Sequence, residues 1–556
     1  MKRSVTAAGA ALAMILGGCG ASPTDQENGR TGGRGGTLIV LASADFANLD
    51  PAQNWTMRDV LFGGRTLYRT LTAYAAAPGP EGTKVRPDLA EELGVPSGGN
   101  RTWTYKLRSG VKFEDGSVVT SKDVKYGIER IFAAELQEGP GYLRDLLVGG
   151  EKYAGPYKDP RGLQSILTPD DRTIVFELRK PTADLDYILA LPTSAPVRKE
   201  KDTGVKYNSA IFSTGPYKIE RYDRGKELVL VRNSHWDPNT DSIRKALPDR
   251  IEVKQGLSSA TIEQRLIADQ GRDRRAVAWA GISAASMPRV LSDPKVKDRY
   301  VAEPSICTRM LTFNTAKPPF DNLMARQAVA YGISREAYRT AHGGEGVGDF
   351  ATAFMPPSLT AGQKNEAFQA PPEGDVTKAR RLLADAGKPE GFEITLTTTS
   401  TDTGRAEAEA VQSSLARIGV RVKINSVDAS VFYSTTGTPA TADELVFDGW
   451  CADWPNGASF IPQKFDGRNI QPKGNRVISQ LNDPSVNKRV DEILALTDAN
   501  SAQKAWGELD TQIIQLMPAV PLVWDKMPLL HGSKVTGVFG HPIWQGEIDY
   551  AAVSVA

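Results

Sequence analysis

Two helix patterns in the second half of the chain are each followed by a glycine and then by a strand pattern. In both helix patterns apolar residues recur every three to four positions, and in both strand patterns apolar and polar residues alternate. The segments are helix 375–386, Gly387, strand 393–398, helix 404–418, Gly419 and strand 420–424. This order predicts α/β lobes with mixed sheets, because an all-β sandwich or a helical bundle would lack the alternation.

The first half of the chain carries the same two kinds of pattern. Residues 38–43 read as a buried strand and residues 102–107 as an alternating strand. A helix is predicted to begin at Ser121, which can cap it, with Asp123 facing the positive end of the helix dipole. A chain of 556 residues exceeds what one core usually supports, so we expect two or three domains.

The amino terminus reads as an export signal. Lys2 and Arg3 precede an apolar run over residues 7–16 that is too short to span a bilayer as a helix. The run ends in Leu-Gly-Gly-Cys, which resembles a bacterial lipobox, so residues 1–18 are predicted as a lipoprotein signal peptide and Cys19 as the lipid anchor. A chance cysteine near a secretory cleavage site is the alternative. Residues 19–36 lack an apolar face and are predicted as a flexible linker.

The charge balance argues against nucleic acid as a partner. The chain has 67 Lys and Arg against 66 Asp and Glu, and no basic arm. After the signal there is no apolar run of about 18 residues, so we expect an extracytoplasmic protein held to the cell membrane by its lipid alone. Besides Cys19 only Cys307 and Cys451 are present; an exported protein most simply pairs them, and two buried free thiols are the alternative.

Eight segments spread along the chain carry recognisable patterns. They are 87–92, 101–116, 120–126, 214–219, 228–233, 318–322, 326–336 and 379–387. Taken singly, each segment also reads as ordinary core, turn or surface helix, with the helix from Arg326 as an amphipathic surface helix. Together they follow the order found in the family 5 (cluster C) extracytoplasmic solute-binding proteins of ABC transporters, the oligopeptide, dipeptide and nickel type, and resemble that family over the mature chain.

The resemblance implies a type II periplasmic-binding-protein-like fold. Two mixed α/β lobes would be joined by a hinge, with a smaller inserted α/β domain. The implied boundaries are 37–80, 205–306 and 520–556 for lobe one, 81–204 for the inserted domain and 307–519 for lobe two.

The segment 447–454, Phe-Asp-Gly-Trp-Cys-Ala-Asp-Trp, is similar to the family's ligand motif. The resemblance implies that Asp453 meets a peptide's α-ammonium, that Trp450 lines a side-chain pocket and that Cys451 pairs with Cys307. Main chain around Gly449 to Cys451 would hold the peptide backbone, and Trp454 completes the set of expected ligand residues. Core packing is the alternative for both tryptophans, and a turn or cap role is the alternative for Asp453.

The chain departs from the family pattern near this motif. Pro455, Asn456 and Gly457 replace the usual pair ending in proline, and Phe447 stands where some oligopeptide receptors have a basic residue. No Lys or Arg occurs between Lys423 and Lys464. That stretch holds acids that would favour cationic solutes if they faced the ligand, or would otherwise be solvated: Asp428, Asp443, Glu444, Asp448 and Asp453.

The sequence therefore predicts a monomeric, lipid-anchored receptor that traps peptides or peptide-like solutes by lobe closure. It would deliver them to the permease and ATPase complex of an ABC importer. Alternatives are a receptor of the same family for oligosaccharide or chelated metal, and a peptide-sensing surface receptor. We expect no enzyme activity, cofactor or metal ligand set, because the chain has only four histidines and carries no recognisable catalytic or phosphate-loop motif.

Overall fold

The computed structural model describes residues 33–359 and 364–556, and strands and helices interleave throughout them. The strands are β1 (Thr37–Leu41), β2 (Thr72–Tyr74), β3 (Val85–Pro87), β4 (Val95–Ser97), β5 (Thr102–Lys106), β6 (Ile166–Asp170), β7 (Thr173–Glu177), β8 (Tyr217–Asp223), β9 (Glu227–Arg232), β10 (Arg250–Lys254), β11 (Ala276–Ala278), β12 (Tyr300–Phe313), β13 (Gly348–Phe350), β14 (Glu393–Thr399), β15 (Arg421–Val427), β16 (Leu445–Cys451), β17 (Ala519–Leu530), β18 (Val535–Thr536) and β19 (Ser554–Val555).

The helices follow the same chain order. They are α1 (Met57–Thr66), α2 (Gly79–Gly82), α3 (Ser121–Arg130), α4 (Tyr142–Leu146), α5 (Leu185–Ile188), α6 (Ser259–Ala268), α7 (Met287–Ser292), α8 (Pro294–Lys297), α9 (Leu323–Gly332), α10 (Arg335–His342), α11 (Val376–Asp385), α12 (Asp402–Ala416), α13 (Phe432–Thr436), α14 (Ile461–Phe465), α15 (Pro484–Leu494) and α16 (Ala499–Leu516). In the part of the chain described, no helix combines the length and the apolar character needed to cross a membrane.

The local sequence signals place most of the predicted elements correctly. Asp375 caps α11, its side chain accepting from the Lys378 N–H, and Gly387 follows with a φ of +71°. At α3 the predicted cap was wrong by one residue. Thr120 is the N-cap and forms a capping box with Asp123, whereas the Ser121 hydroxyl donates to the Asp170 carbonyl at 2.6 Å.

Lobe one is built on a five-stranded mixed sheet. Its order is β11-β1-β10-β9-β8, with β1 parallel to both its neighbours and the other pairs antiparallel. Residues Leu38 to Leu41 of β1 are almost fully buried, as the continuous apolar run of β1 predicts, whereas β10 buries only Ile251 and Val253 to that degree. Ordered contacts begin slightly before the predicted start of the lobe, because the Gly35 N–H donates to the Leu247 carbonyl at 2.8 Å.

Lobe two is built on a six-stranded mixed sheet with the order β13-β17-β12-β16-β14-β15. Strand β14 runs parallel to both β15 and β16. β14 and β15 are the strands of the two predicted helix-glycine-strand units, and β16 carries the segment similar to the ligand motif. Helices α9, α11 and α12 pack nearby, and α12 buries Ala408, Val411 and Leu415 as predicted.

The paired strands β12 and β17 connect the two lobes. Tyr300 to Pro304 pair with Lys526 to Leu530 beside the first sheet, and Thr308 to Thr312 pair with Trp524 to Ala519 inside the second. The register shifts between Pro304 and Thr308, at the junction of these two parts. The chain thus passes from lobe one to lobe two along β12 and returns along β17.

A third, antiparallel sheet with the order β4-β5-β7-β6 lies between β3 and β8 in the sequence, where the inserted domain is predicted. Buried ion pairs fasten this region to lobe one. Arg130 at the end of α3 makes a two-pronged contact with Asp50 at 2.6 and 2.7 Å, and its Nε lies 3.1 Å from Asp202. Both side chains of the Arg130–Asp50 pair are fully buried, so breaking it would leave an unpaired charge in the interior.

The proposed limits of the three regions stay predictions. The predicted boundary at 306/307 falls inside β12, and the one at 519/520 falls at the first residues of β17. The signal peptide at 1–18, Cys19 and residues 20–32 of the linker lie outside the described residues.

Candidate functional site

A cavity of about 890 Å³ lies where lobe one, the inserted region and lobe two meet. Lobe one contributes parts of residues 44–60, Trp279 and residues 545–547; the inserted region contributes residues 138–145 and Leu191; lobe two contributes Trp450, Asp453 and Arg476. The lining thus combines aromatic side chains with charges of both signs, which suits a solute that is both polar and bulky.

Asp453 lies in the cavity wall, two residues beyond the end of β16. The Tyr142 hydroxyl, at the start of α4, donates a short hydrogen bond to its Oδ2 atom. Burial raises the pKa of Asp453 above its ordinary value, and this is opposed by the Tyr142 hydrogen bond and by the nearby charge of Arg476. A buried carboxylate without a cation in contact is a strong partner for an incoming ammonium group.

Trp450 also lines the cavity, and its ring is only partly buried. The indole N–H donates to the Ser459 carbonyl at 2.8 Å, which fixes the plane of the ring. Two cations flank that ring: Lys464 Nζ lies 5.8 Å and the Arg476 guanidinium 5.5 Å from its centroid. Trp450 is therefore held in a fixed orientation at the cavity surface, and its ring also packs against the core.

The other predicted ligand residues lie close by without lining the cavity. Trp454 is buried, and its indole N–H donates to Asp184 Oδ2 at 2.9 Å while its ring meets Tyr142 edge-on at 5.0 Å between centroids. Gly449 and Cys451 belong to β16 and pair in register with Arg309 and Cys307 of β12. The five residues thus share one strand and its following loop, with Asp453 and Trp450 at the cavity surface.

Cys307 and Cys451 face each other as a cross-strand pair. Their Sγ atoms are 2.06 Å apart and their Cα atoms 4.0 Å apart. The pair sits at the end of β16, immediately before the loop that holds Asp453. A bond there would tie the start of that loop to the strand that connects the two lobes.

The wall from lobe one carries functional candidates that the sequence patterns did not reveal. Arg58, in the first turn of α1, lies 3.3 Å from Glu547 and 5.6 Å from the centre of the Trp279 ring. Burial raises the pKa of Glu547 to about 7, and Arg58 opposes that shift. Asp59 accepts from the backbone N–H groups of Ala47 and Asn48, so its carboxylate already has hydrogen-bond partners within lobe one.

The sequence patterns also did not reveal the cavity residues of the inserted region. Glu138, Tyr142, Arg144 and Asp145 reach the cavity from a loop and a five-residue helix that carry no family motif. Arg144 donates to the Ile131 carbonyl at 2.9 Å, so it also holds the loop in place. No local pattern signals Tyr142, because its partner Asp453 lies more than 300 positions away in the sequence.

The acid-rich stretch of the sequence does not form an acidic cleft. Asp443 accepts from the Thr397 hydroxyl and from the Asn425 amide, and Glu444 accepts from the Thr395 N–H. Asp448 is paired with Lys464 at 2.6 Å, and Asp428 is an exposed turn residue bonded to Ser430. Of the five acids, Asp453 alone lines the cavity.

The position that is basic in some oligopeptide receptors is apolar in this chain. Phe447, where some oligopeptide receptors have a basic residue, packs against Tyr338 with 5.6 Å between ring centroids. Arg476, which follows the base-free stretch in the sequence, lines the cavity together with Arg58 and Arg144.

Comparisons with known proteins agree with this fold. The model of the bacterial extracellular solute-binding proteins, family 5 Middle, matches residues 84–472. The glutathione-binding protein GsiB of Salmonella typhimurium is 26% identical over 528 residues, which cover 91% of this chain and 92% of that protein. The corresponding protein of Escherichia coli strain K12 is 25% identical over 525 residues, with the same coverage.

Solved structures show the same architecture over nearly the whole chain. The clavulanic acid biosynthesis oligopeptide binding protein 2 is 38% identical, with a TM-score of 0.86 over 94% of this chain and 96% of that one. The periplasmic murein tripeptide binding protein MppA, in its unliganded open form, is 19% identical and shares the fold, with a TM-score of 0.74 over 94% and 99% of the two chains. This chain therefore belongs to the family 5 bacterial extracellular solute-binding proteins.

Proposed function

We propose that this protein is the receptor of an ABC importer for peptides or peptide-like solutes that carry a free amino end. The solute would lie in the 890 Å³ cavity with its ammonium group at Asp453 and a side chain or backbone against Trp450. The observation that carries the proposal is the Asp453 carboxylate, which lines the cavity without a cation in contact among the described residues. The relatives named for glutathione and oligopeptide binding support the solute class.

The main chain of Gly449 to Cys451 supplies the expected peptide-backbone contacts in this account. A Cβ at Gly449 would lie 3.0 Å from the Thr308 carbonyl, a tight contact, so the lack of a side chain suits the close pairing of β16 with β12. Trp454 lies behind the cavity wall and holds the loop that carries Asp453 through its hydrogen bond to Asp184. A Cys307–Cys451 disulfide, consistent with the 2.06 Å sulfur separation, would fix the strand end that carries Asp453.

The cellular arrangement follows from the export signal. Cys19 would carry the lipid that anchors a monomer to the outer face of the cell membrane, and the linker would let the receptor reach its permease and ATPase complex. Solute binding and lobe closure, without bond chemistry, would be the protein's whole task.

Native mass spectrometry of the mature chain without its anchor tests this proposal. We expect a heterogeneous set of peptide masses bound to the protein as purified, and their loss in Asp453→Asn, which keeps the shape of the side chain and removes its charge. Asp428→Asn is the matched control, since Asp428 is an exposed turn acid, and it should retain the peptides. A bound sugar or metal chelate, or peptides retained equally in Asp453→Asn, would refute the proposal.

A further inference from the structure

The parallel strands β1 and β11 of lobe one begin at one edge of their sheet and end at the opposite edge. Arg34 stands three residues before β1, and Arg274 stands two residues before β11. The cavity residues Ala44 and Trp279 instead follow the carboxyl ends of these two strands. Strand β1 alone separates the two edges by about 13 Å, at about 3.3 Å per residue. The amino-terminal edge of the sheet is therefore a surface distinct from the cavity.

Lys534 lies beside Arg274 at this edge. Its N–H donates to the Arg274 carbonyl at 2.7 Å, and its own carbonyl accepts from the Ala556 N–H at 2.9 Å. The Lys534 ammonium group has no hydrogen-bond or ion-pair partner in the part of the chain that the structure describes. The guanidinium of exposed Arg274 donates to the Ser533 hydroxyl at 3.2 Å and forms no ion pair with the described residues. Both charges are therefore available to a partner outside the chain.

Arg34 and Lys245 lie next to this pair. The residue after Arg34 donates its N–H to the Leu247 carbonyl at 2.8 Å, and Lys245 is two residues before Leu247. Gly36 packs against Val555, since a Cβ at Gly36 would lie 2.8 Å from a methyl carbon of that valine. Arg34 and Lys245 are exposed, and neither side chain has a partner within residues 33–359 and 364–556. We call Arg34, Lys245, Arg274 and Lys534 together the basic edge.

The acids that approach the basic edge already have cationic partners. The pairs are Asp249–Arg232 at 2.9 Å, Asp273–Arg265 at 2.6 Å and Asp269–Arg299 at 3.7 Å. The Ala556 carbonyl likewise accepts from Arg275 Nε at 2.7 Å. Since these acids are neutralised, the four unpaired cations give the edge a net positive charge. The whole chain has a net charge of only +1, so this is a local concentration of charge.

We propose that the basic edge rests on an anionic lipid surface. A layer of headgroups fits it because the four cations come from four segments, none of them is buried, and they are spread along an edge instead of converging on a pocket. The proposed anchor at Cys19 precedes Gly33 by 14 positions, and a flexible chain of that length spans about 20 Å. Such an anchor would keep the basic edge close to the membrane.

The inference goes beyond the proposed solute binding, because it gives the receptor an orientation on the membrane. With the basic edge against the lipid, the cavity at the opposite edge of the sheet would face the surrounding solution, from which the solute is captured. Each Lys or Arg near an anionic surface strengthens binding about fivefold. Four such contacts hold the protein reversibly, so it can leave the surface to deliver its solute.

Sedimentation with lipid vesicles tests the inference on the mature chain without its anchor. Vesicles of phosphatidylcholine alone are compared with vesicles that contain about one third phosphatidylglycerol, at low ionic strength. We expect the wild-type protein to bind the anionic vesicles at least tenfold more tightly, and added salt to remove the difference. The double variant Arg34→Glu/Lys245→Glu should bind the anionic vesicles at least tenfold more weakly than the wild type, because two of the four cations are reversed.

Arg381→Glu/Lys388→Glu is the matched control. Both residues are exposed in lobe two without a partner among the described residues, and the change in net charge is the same, so this variant should bind within about twofold of the wild type. Equal binding of the wild type to both kinds of vesicle would overturn the inference. An equal loss in both double variants would also overturn it, because net charge alone would then explain the binding.

Native mass spectrometry of the same samples separates this inference from the proposed function. Arg34→Glu/Lys245→Glu should keep its co-purified peptides, which would show that the variant is folded and that the basic edge acts apart from the cavity. Loss of the peptides from this variant would contradict that separation and overturn the inference. A wild-type protein that binds the anionic vesicles but carries no peptide would refute the proposed function and leave the lipid-binding edge in place.

Discussion

The indole N–H of Trp454 donates to Asp184 Oδ2 at 2.9 Å, which joins the loop after β16 to the residue before α5. Asn456, two residues further along that loop, donates to the other oxygen of Asp184 at 3.1 Å. Asp184 is buried, and burial raises its pKa to about 6. The carboxylate thus fixes the loop that presents Asp453, although it does not itself reach the cavity.

Replacing Trp454 with Phe should therefore weaken peptide binding. The ring is kept, but the Asp184 hydrogen bond is lost and a buried carboxylate loses one of its two donors, which costs about 1–3 kcal/mol. We expect a three- to tenfold rise in the dissociation constant measured by calorimetry. Trp236→Phe is a matched control, because Trp236 makes the same kind of bond to Asp241 at 3.0 Å in lobe one. A similar loss of affinity in both variants would show a general loss of stability rather than loop positioning.

The Tyr142 hydroxyl should set the pH range over which the protein binds amino-terminated peptides. Its hydrogen bond lowers the pKa of Asp453, so Tyr142→Phe should raise that pKa further. The carboxylate must be ionised to hold an ammonium group, so affinity is lost as the pH falls through the pKa of Asp453. In Tyr142→Phe that loss should begin at a higher pH.

Dissociation constants measured between pH 4.5 and 6.5 check this, a range in which the peptide amine stays protonated. Tyr153→Phe is the control, since Tyr153 lies in the same region and its hydroxyl donates to the Asp159 carbonyl rather than to Asp453. A pH profile of Tyr142→Phe that coincides with the wild type would exclude the assigned role.

The sequence predicts the fold and one half of the site, and the reasons differ for the two. Gly387, Gly419 and Asp375 mark element ends by local chemistry, so these elements are confirmed to within a few residues. At α3 two adjacent residues, Thr120 and Ser121, could each act as the N-cap. Thr120 takes that position, and the Ser121 hydroxyl instead donates to the carbonyl of Asp170, a contact that the local sequence does not reveal.

The site shows the same division between local and distant information. Asp453 and Trp450 belong to one contiguous motif, and both line the cavity. Tyr142, Arg58 and Arg476 reach the same cavity from three segments that are distant in the sequence, and no spacing rule links them. Their roles depend on how the lobes and the inserted region pack, which periodicity and composition do not encode.

Arg326 is a residue for which the sequence interpretation of a surface helix failed. The amphipathic surface-helix interpretation was wrong for it, because its guanidinium is buried and donates to the carbonyls of Phe320, Leu516 and Met517 at 2.7–3.0 Å. Two of these carbonyls end α16, so Arg326 caps that helix from outside.

Arg326→Met should lower the free energy of unfolding by on the order of 2–4 kcal/mol, because three buried carbonyls lose a charged donor. Urea denaturation measures the effect. Arg381→Met, at an exposed position on α11, should change it by less than about 0.5 kcal/mol. An equally small change for Arg326→Met would rule out the capping role.

His342 should make stability decline at alkaline pH. It lies 2.6 Å from Glu407 and 3.5 Å from Asp525, and Arg309 and Tyr338 also face this cluster. The two carboxylates raise the pKa of His342 to about 9 against the burial that opposes them. Since the folded pKa exceeds the unfolded value of about 6.5, the stabilisation is complete below pH 6.5 and is lost as the pH rises through 9.

The wild type should therefore exceed His342→Gln in unfolding free energy by at most about 3 kcal/mol at pH 6, and the difference should vanish above pH 9.5. His235→Gln, at an exposed position, should change the unfolding free energy only slightly and serves as the control. A constant difference between wild type and His342→Gln across this range would contradict the assignment.

The most direct test of the account is a crystal structure of the protein with its co-purified solute. The account predicts a peptide-like solute in the cavity, with its ammonium nitrogen about 2.7–3.2 Å from the Asp453 carboxylate and part of the solute against Trp450. A solute that leaves Asp453 bonded only to Tyr142, or that places no amine near it, would contradict the central claim.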